Sequence, residues 1–342
     1  MKSISGWALL RAGKGLLVVA MGLGLAGTAV AAEIPLQEAW SASGPYAVVN
    51  TGVGVRDTGG TGTMSDVTVT GQVQKAWLYW VGSNVPHSDI LKDPVVTLTR
   101  SGSPGQSVTA DVTAIVQFEV PWQPGNYYWD ANHIAYWADV TDLVATGTWD
   151  YTISDFVMDK THGAGLQIVY ADDSLPSQNV SIFQGHDYAF AGWQNAGELN
   201  RTWVTSYTFA PAAYDRVLDA AFLVAGGEGT DRPDQLWYDV GMHDTEADLP
   251  VELITNNTGT VLDTNPLEGL DGNEWDTVIK QVLIPAGATY AAFQFQSGGG
   301  TGTGHPSESF SWVASSFSLI PEPASLVLLA FGAMVVARRS RR

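Results

Sequence analysis

The chain has 342 residues, 45% hydrophobic and 15% charged, which is enough apolar side chain to bury a core and too little charge for a disordered chain. A formal net charge of −19 excludes a surface built to grip phosphate, so no nucleic-acid partner is expected. The absence of cysteine excludes disulfide staples, thiol catalysis and thiolate-held zinc or iron–sulfur centres. Residues 1–32 read as a cleavable signal peptide. Lys2, Arg11 and Lys14 precede an apolar run from Gly15 to Ala26, and Ala29-Val30-Ala31 supplies a small-x-small cleavage site. That run is short of the roughly 20 residues a membrane span requires. The string Gly22-Leu23-Gly24-Leu25-Ala26-Gly27 follows no strand and is not a nucleotide-binding loop.

From residue 33 the pattern is β. Short β-branched and aromatic runs at 67–70, 76–81, 95–99, 134–137, 151–153, 166–170 and 180–183 are bounded by Gly, Pro, Asn and Asp. The run at 76–81 is apolar on both faces and suits a central strand. Further strands are predicted at 203–209, 217–224, 235–240, 278–284, 290–295 and 310–319, and a brief helical turn at 138–144. This spacing predicts an all-β, sandwich or jelly-roll-like body, one sandwich or two packed together. Strand signals lapse over 187–199, so 33–190 is expected as one β-sandwich domain and 191–320 as a second or as its continuation.

The last 22 residues have three parts in order. Pro321-Glu322-Pro323 holds the backbone extended and accessible. The apolar run from Ala324 to Ala337 reads as a transmembrane helix, and Arg338, Arg339, Arg341 and Arg342 as a cytoplasmic membrane stop. At fourteen residues the run spans only with help from Leu319 and Ile320. This tail resembles the PEP-CTERM sorting signal of Gram-negative bacteria. The resemblance implies recognition at Pro321, Glu322 and Pro323 by exosortase, a membrane-embedded cysteine transpeptidase. It also implies a bacterium that makes exopolysaccharide or biofilm. Within the body, Tyr170-x-Asp172-x-Ser174-Leu175-Pro176, followed by Gly185-x-Asp187, resembles β-rich adhesin-like surface domains of unknown function.

Motifs for chemistry are sparse. The six histidines form no H-E-x-x-H or H-x-H pattern, and neither G-x-S-x-G nor a Walker loop occurs. His186-Asp187 and His243-Asp244 are neighbours whose side chains diverge on a strand, and they read as surface polar residues. Asp263, Asn265, Asp271, Asn273 and Asp276, with Glu268 and Glu274, crowd one glycine-containing stretch and make a candidate calcium site, although the spacing is not that of an EF-hand. Trp122, Tyr127, Tyr128 and Trp129 make either a glycan-stacking platform, if exposed, or a plug of the core, if buried.

These readings converge on a non-enzymatic, structural or adhesive protein of the envelope or extracellular matrix. It is expected to leave by the secretion machinery, pause at the inner membrane and be processed by exosortase at the tail. It then reaches the cell surface or medium in association with exopolysaccharide. No cofactor is expected beyond the candidate calcium. The alternatives are a carbohydrate-binding module using the aromatic segment and a secreted polysaccharide hydrolase using a carboxylate pair.

Overall fold

The computed structural model describes residues 34–84, 93–122, 127–157, 160–191, 200–227, 233–255, 258–298 and 309–320. In them the β-branched and aromatic runs become strands, in chain order β1 (Ile34–Gly44), β2 (Tyr46–Gly54), β3 (Gly62–Val69), β4 (Gln72–Asn84), β5 (Val95–Arg100), β6 (Gln106–Thr109), β7 (Val112–Trp122), β8 (Tyr127–Asp139), β9 (Gly147–Ser154), β10 (Lys160–Ala171), β11 (Gln178–Phe190), β12 (Thr205–Thr208), β13 (Arg216–Ala225), β14 (Gln235–Gly241), β15 (Thr260–Asp263), β16 (Trp275–Ile284), β17 (Tyr290–Gln296) and β18 (Ser309–Leu319). A 3-10 turn at Thr141–Leu143 falls inside the stretch predicted to be a helical turn.

The strands form four antiparallel sheets. Two have five strands, in the orders β2-β10-β4-β8-β7 and β1-β11-β18-β13-β16, and two have four, in the orders β3-β9-β5-β6 and β12-β17-β14-β15. Each five-stranded sheet buries one face against a four-stranded sheet. The first such core holds Leu78, Trp80, Tyr136, Tyr151 and Ile168, and the second holds Phe222, Phe293, Phe295, Trp312 and Phe317. The remaining faces of the five-stranded sheets meet each other over Trp77, Tyr79, Val81, Trp137, Ile182, Leu223 and Trp275. The stack is therefore four layers deep with three cores. Side chains alternate along a strand, so β4 must be apolar on both faces. Ala76, Leu78 and Trp80 serve the first core, and Trp77, Tyr79 and Val81 the middle one. The chain changes layer between Ala171 and Gln178. β11 joins the later sheets, and β1, from the start of the body, pairs beside it.

The middle core is keyed by one side chain. Trp275, fully buried at the start of β16, enters a slot lined by glycines of β2 and β10. Gly52 lies opposite Gly165, and Gly54 opposite Gly163. A Cβ on Gly52 would stand 2.1 Å from the indole Nε1, and one on Gly165 would stand 2.6 Å from Cζ2. Real Cβ atoms do not approach so closely, so the glycines make room for the indole.

The expected transmembrane helix is corrected. Among the described residues no helix is long and apolar enough to cross a membrane. Residues 321–342 lie outside the described residues, as does the signal segment 1–32. At 1.5 Å per residue, fourteen residues give about 21 Å against a hydrocarbon core of about 30 Å. The borrowing that would lengthen the run fails, because Leu319 is fully buried in β18, paired with Asn179 and Leu218.

Candidate functional site

The four aromatics fall at the paired ends of β7 and β8. β7 and β8 pair in register through Val120 with Trp129, Pro121 with Tyr128 and Trp122 with Tyr127. The side chains of these aromatics lie outside the described residues, as do residues 123–126.

The acidic stretch is described in full, and its carboxylates are engaged separately. Asp263 forms an ion pair with Lys280 and accepts from the Asn265 backbone N–H at 3.1 Å. Asn265 Nδ2 donates to Glu268 at 2.9 Å, and Asn273 Nδ2 donates to Asp57 at 2.7 Å. Asp271 accepts from the Thr277 N–H at 2.7 Å. Asp276 Oδ1 accepts from the backbone N–H groups of Glu268 and Leu270 at 3.1 and 2.8 Å, while its buried Oδ2 has no hydrogen-bond partner. Burial, aided by the charge of Asp271, pushes Asp276 up to about 7. Among the described residues no group of three or more histidine or carboxylate side chains is arranged to hold a metal. Of the five predicted calcium ligands, Asp263 meets Lys280, Asn265 meets Glu268, Asn273 meets Asp57, and Asp271 and Asp276 accept from backbone N–H groups.

A polar cluster that the sequence did not disclose sits between the two five-stranded sheets. The Ser83 hydroxyl (β4) and His162 Nε2 (β10) lie 2.9 Å apart, and His162 Nδ1 contacts Glu274, just before β16. A neutral imidazole donates from one nitrogen and accepts at the other. With the proton on Nδ1 and given to Glu274, Nε2 accepts from Ser83. Arg56 also pairs with Glu274. His133 (β8) stacks on His162 at 4.6 Å, and the Ser311 hydroxyl (β18) bridges His133 Nδ1 at 3.1 Å and His186 Nε2 (β11) at 3.0 Å. Glu274 is held at φ 77°, a left-handed backbone that costs a non-glycine residue about 1–2 kcal/mol. Its backbone N–H and C=O are bonded to Gly227 and Gly226, which fixes the conformation.

Ser83, His162 and Glu274 stand in the order of a hydrolytic triad. Their environment points elsewhere. Ser83 and His162 are each only 5% exposed. Burial first, then the charges of Arg56 and Lys160, hold His162 down to about 3, which makes it a weak base at neutral pH. His186 is likewise held down to about 3 by burial. The cluster ties the two middle sheets, with Ser311 of one bonded to His133 of the other and His162 meeting Glu274. His186 and Asp187, read as surface residues, are both fully buried. They do diverge as expected, with His186 turned to Ser311 and Asp187 accepting from the Trp203 N–H at 2.8 Å.

The stretch likened to surface domains is also structural. Asp172 accepts from the Ser174 N–H and hydroxyl at 3.0 and 2.6 Å and from the Thr70 hydroxyl at 2.7 Å. It is an Asx turn that carries the chain from β10 in one layer to β11 in the next.

β18, the middle strand of its sheet, runs to Leu319, two residues before Pro321 in the sequence. Residues 319–342 match the PEP-CTERM protein-sorting motif. The chain is thus an exported, β-rich protein bearing a C-terminal processing signal, and that signal implies an exosortase-type partner. No curated protein matches the chain.

Proposed function

We propose that the protein is a structural or adhesive, non-catalytic component of the cell envelope or extracellular matrix, delivered there by processing of its tail near Pro321-Glu322-Pro323. The match of residues 319–342 to the sorting motif carries this reading. In the chemistry of a cysteine transpeptidase, the partner's thiolate adds to a backbone carbonyl of the tail. The C–N bond breaks, the downstream amine leaves protonated, and an acceptor amine or water takes the acyl group from the thioester. The proposed route includes a transient stage at the inner membrane, and exopolysaccharide is the proposed matrix partner. The non-catalytic assignment is supported by the burial and low basicity of His162, since a general base must be reachable and poised near the working pH.

The test is intact mass and fractionation of the full chain from its native host, beside a Pro321→Ala/Pro323→Ala variant. The expected result is loss of the residues after the processing point in the wild type, with the variant retained at full mass in the membrane fraction. Identical mass and distribution of the two would remove the reading.

A further inference from the structure

Where the tail leaves the fold, the sheet surface is apolar and uncovered. On β13, Leu218, Ala220 and Phe222 face the second core, so Val217, Asp219 and Ala221 lie on the opposite face. The same alternation puts Ile279, Gln281 and Leu283 of β16 on that face, since Val278, Val282 and Ile284 face the core. Val217 is opposite Leu283, and Ala221 opposite Ile279. Leu319 is opposite Leu218, so one further step along the chain sets Ile320 beside Val217. Ile320, Val217 and Leu283 thus form a row across three adjacent strands, 37%, 40% and 61% exposed, with Ile279, 61% exposed, behind it.

Beside the corner this face is covered by β2, the edge strand of the other five-stranded sheet. The cover runs obliquely, from Asn50, which donates to Ser316 on β18 at 2.9 Å, to Gly52 against Trp275 on β16. It leaves the corner at the strand ends open. The corner therefore continues the middle core past the rim of its cover.

We infer that this corner is a docking surface for the exosortase-type partner, which engages the body through Val217, Ile279, Leu283 and Ile320 while it holds the tail. This rests on the proposed processing of the tail. The argument is one of reach. Leu319 is fixed in β18, and a chain extends at most about 3.6 Å per residue. Pro321 to Pro323 therefore lie within about 14 Å of a fully buried residue. An enzyme that grips those residues must come against the end of this sheet. The surface it meets is the uncovered corner, with Asp219, bonded to Gln281 at 2.8 Å, set within it. An exposed apolar patch of a few hundred Å² is of the order found at transient contacts, and it is too small to cover the fourteen-residue apolar run of the tail itself.

The test follows processing of the full chain in its native host by pulse–chase and intact mass. It compares the wild type with Val217→Ser/Ile279→Ser/Leu283→Ser, alongside the Pro321→Ala/Pro323→Ala variant. The surface triple variant is expected to keep its melting transition and to be processed at least about fivefold more slowly. Leu283→Lys alone serves as the second variant should the triple variant fail to fold, with the same slowing expected. Processing of a folded surface variant at the wild-type rate overturns the docking surface while the sorting reading stands, provided that the proline variant is blocked. Wild-type processing of the proline variant removes the sorting reading instead. A Gly-Ser spacer between Ile320 and Pro321 is expected to slow processing too, because it uncouples the corner from the tail. Faster processing with the spacer would make the body an obstruction and overturn the proposal. Binding of the purified wild type to phosphatidylethanolamine–phosphatidylglycerol vesicles, lost in the surface variant, would assign the corner to lipid and also overturn it.

Discussion

Replacing Trp275 by alanine empties the glycine-lined slot between the two middle sheets. A tryptophan buries about 150–250 Å², which at about 25 cal/mol per Å² is about 4–6 kcal/mol of transfer free energy. Measured losses for Trp→Ala in cores run about 3–5 kcal/mol, so about 4 kcal/mol is expected here. Trp275 Nε1 is buried with no hydrogen-bond partner, a cost borne by the wild type. Trp275→Phe removes that orphan along with part of the volume, and is expected to lose no more than about 1.5 kcal/mol. Gly165→Ala sets a Cβ 2.6 Å from the indole and 2.7 Å from Leu223, an overpacking worth about 1–3 kcal/mol. In the Trp275→Ala background the same glycine change is relieved of the indole contacts and keeps only the one with the Leu223 side chain, which can shift into the emptied slot. The pair should therefore be less destabilising than the two single losses added, by at least about 1 kcal/mol. Urea unfolding followed by near-UV circular dichroism and tryptophan fluorescence measures the wild type and all four variants, with coincident transitions required before free energies are compared. A loss below about 1 kcal/mol for Trp275→Ala, or strict additivity with Gly165→Ala, would refute the key-and-slot account of the middle core.

Two pH predictions have opposite signs. Asp276 titrates near 7 when folded and near 3.9 when unfolded, so between those values the native state holds a proton that the unfolded chain has released. Its stabilising contribution is full below about pH 4 and is lost as pH rises through 7. Relative to wild type, Asp276→Asn should gain on the order of 3 kcal/mol between pH 4 and pH 8, and a pH-independent difference would contradict this. His186 is held down to about 3 against an ordinary value near 6.5, so the unfolded chain binds the extra proton in that window. Stability from His186 is full above about pH 6.5 and falls as pH drops toward 3. In His186→Asn the acid limb of the unfolding curve should flatten, and an unchanged slope between pH 6 and 4 would argue against a neutral, buried His186.

The layers were legible where burial on two faces leaves a direct mark. The run at 76–81 has no polar position because β4 feeds two cores, whereas the strand from 278 alternates because one face is partly open to water, and the strand from 310 because buried serines such as Ser311 and Ser316 bond across the middle layer. β2 was missed because Gly52 and Gly54 resemble turn residues. Gly52 admits Trp275 and Gly54 admits the backbone of Gly272 and Asn273, all more than 200 positions away in the chain, and no local pattern records that. The segment from Trp122 to Trp129 read as turn-rich, yet only residues 123–126 separate two long strands. The acidic loop showed the density of its carboxylates but not their direction, and it is direction that decides between a cation and backbone N–H groups. His133, His162 and His186 come from strands in two different sheets, so their approach depends on how layers stack rather than on spacing. The sorting tail was the most legible feature because a partner must read it as a linear string.

The place of Leu319 in β18 also has a mechanical side. If the processed end of the chain is the point of attachment, load enters the body through the middle strand of a five-stranded sheet, with a ladder to β11 on one side and to β13 on the other. A pull along that strand loads both ladders in shear, so many bonds share the force at once instead of opening one at a time as at an unzipping edge. An attachment at β16 or β1 would have put the tether on a sheet margin. The fold thus gives its tail the footing of a rivet set in the centre of a plate.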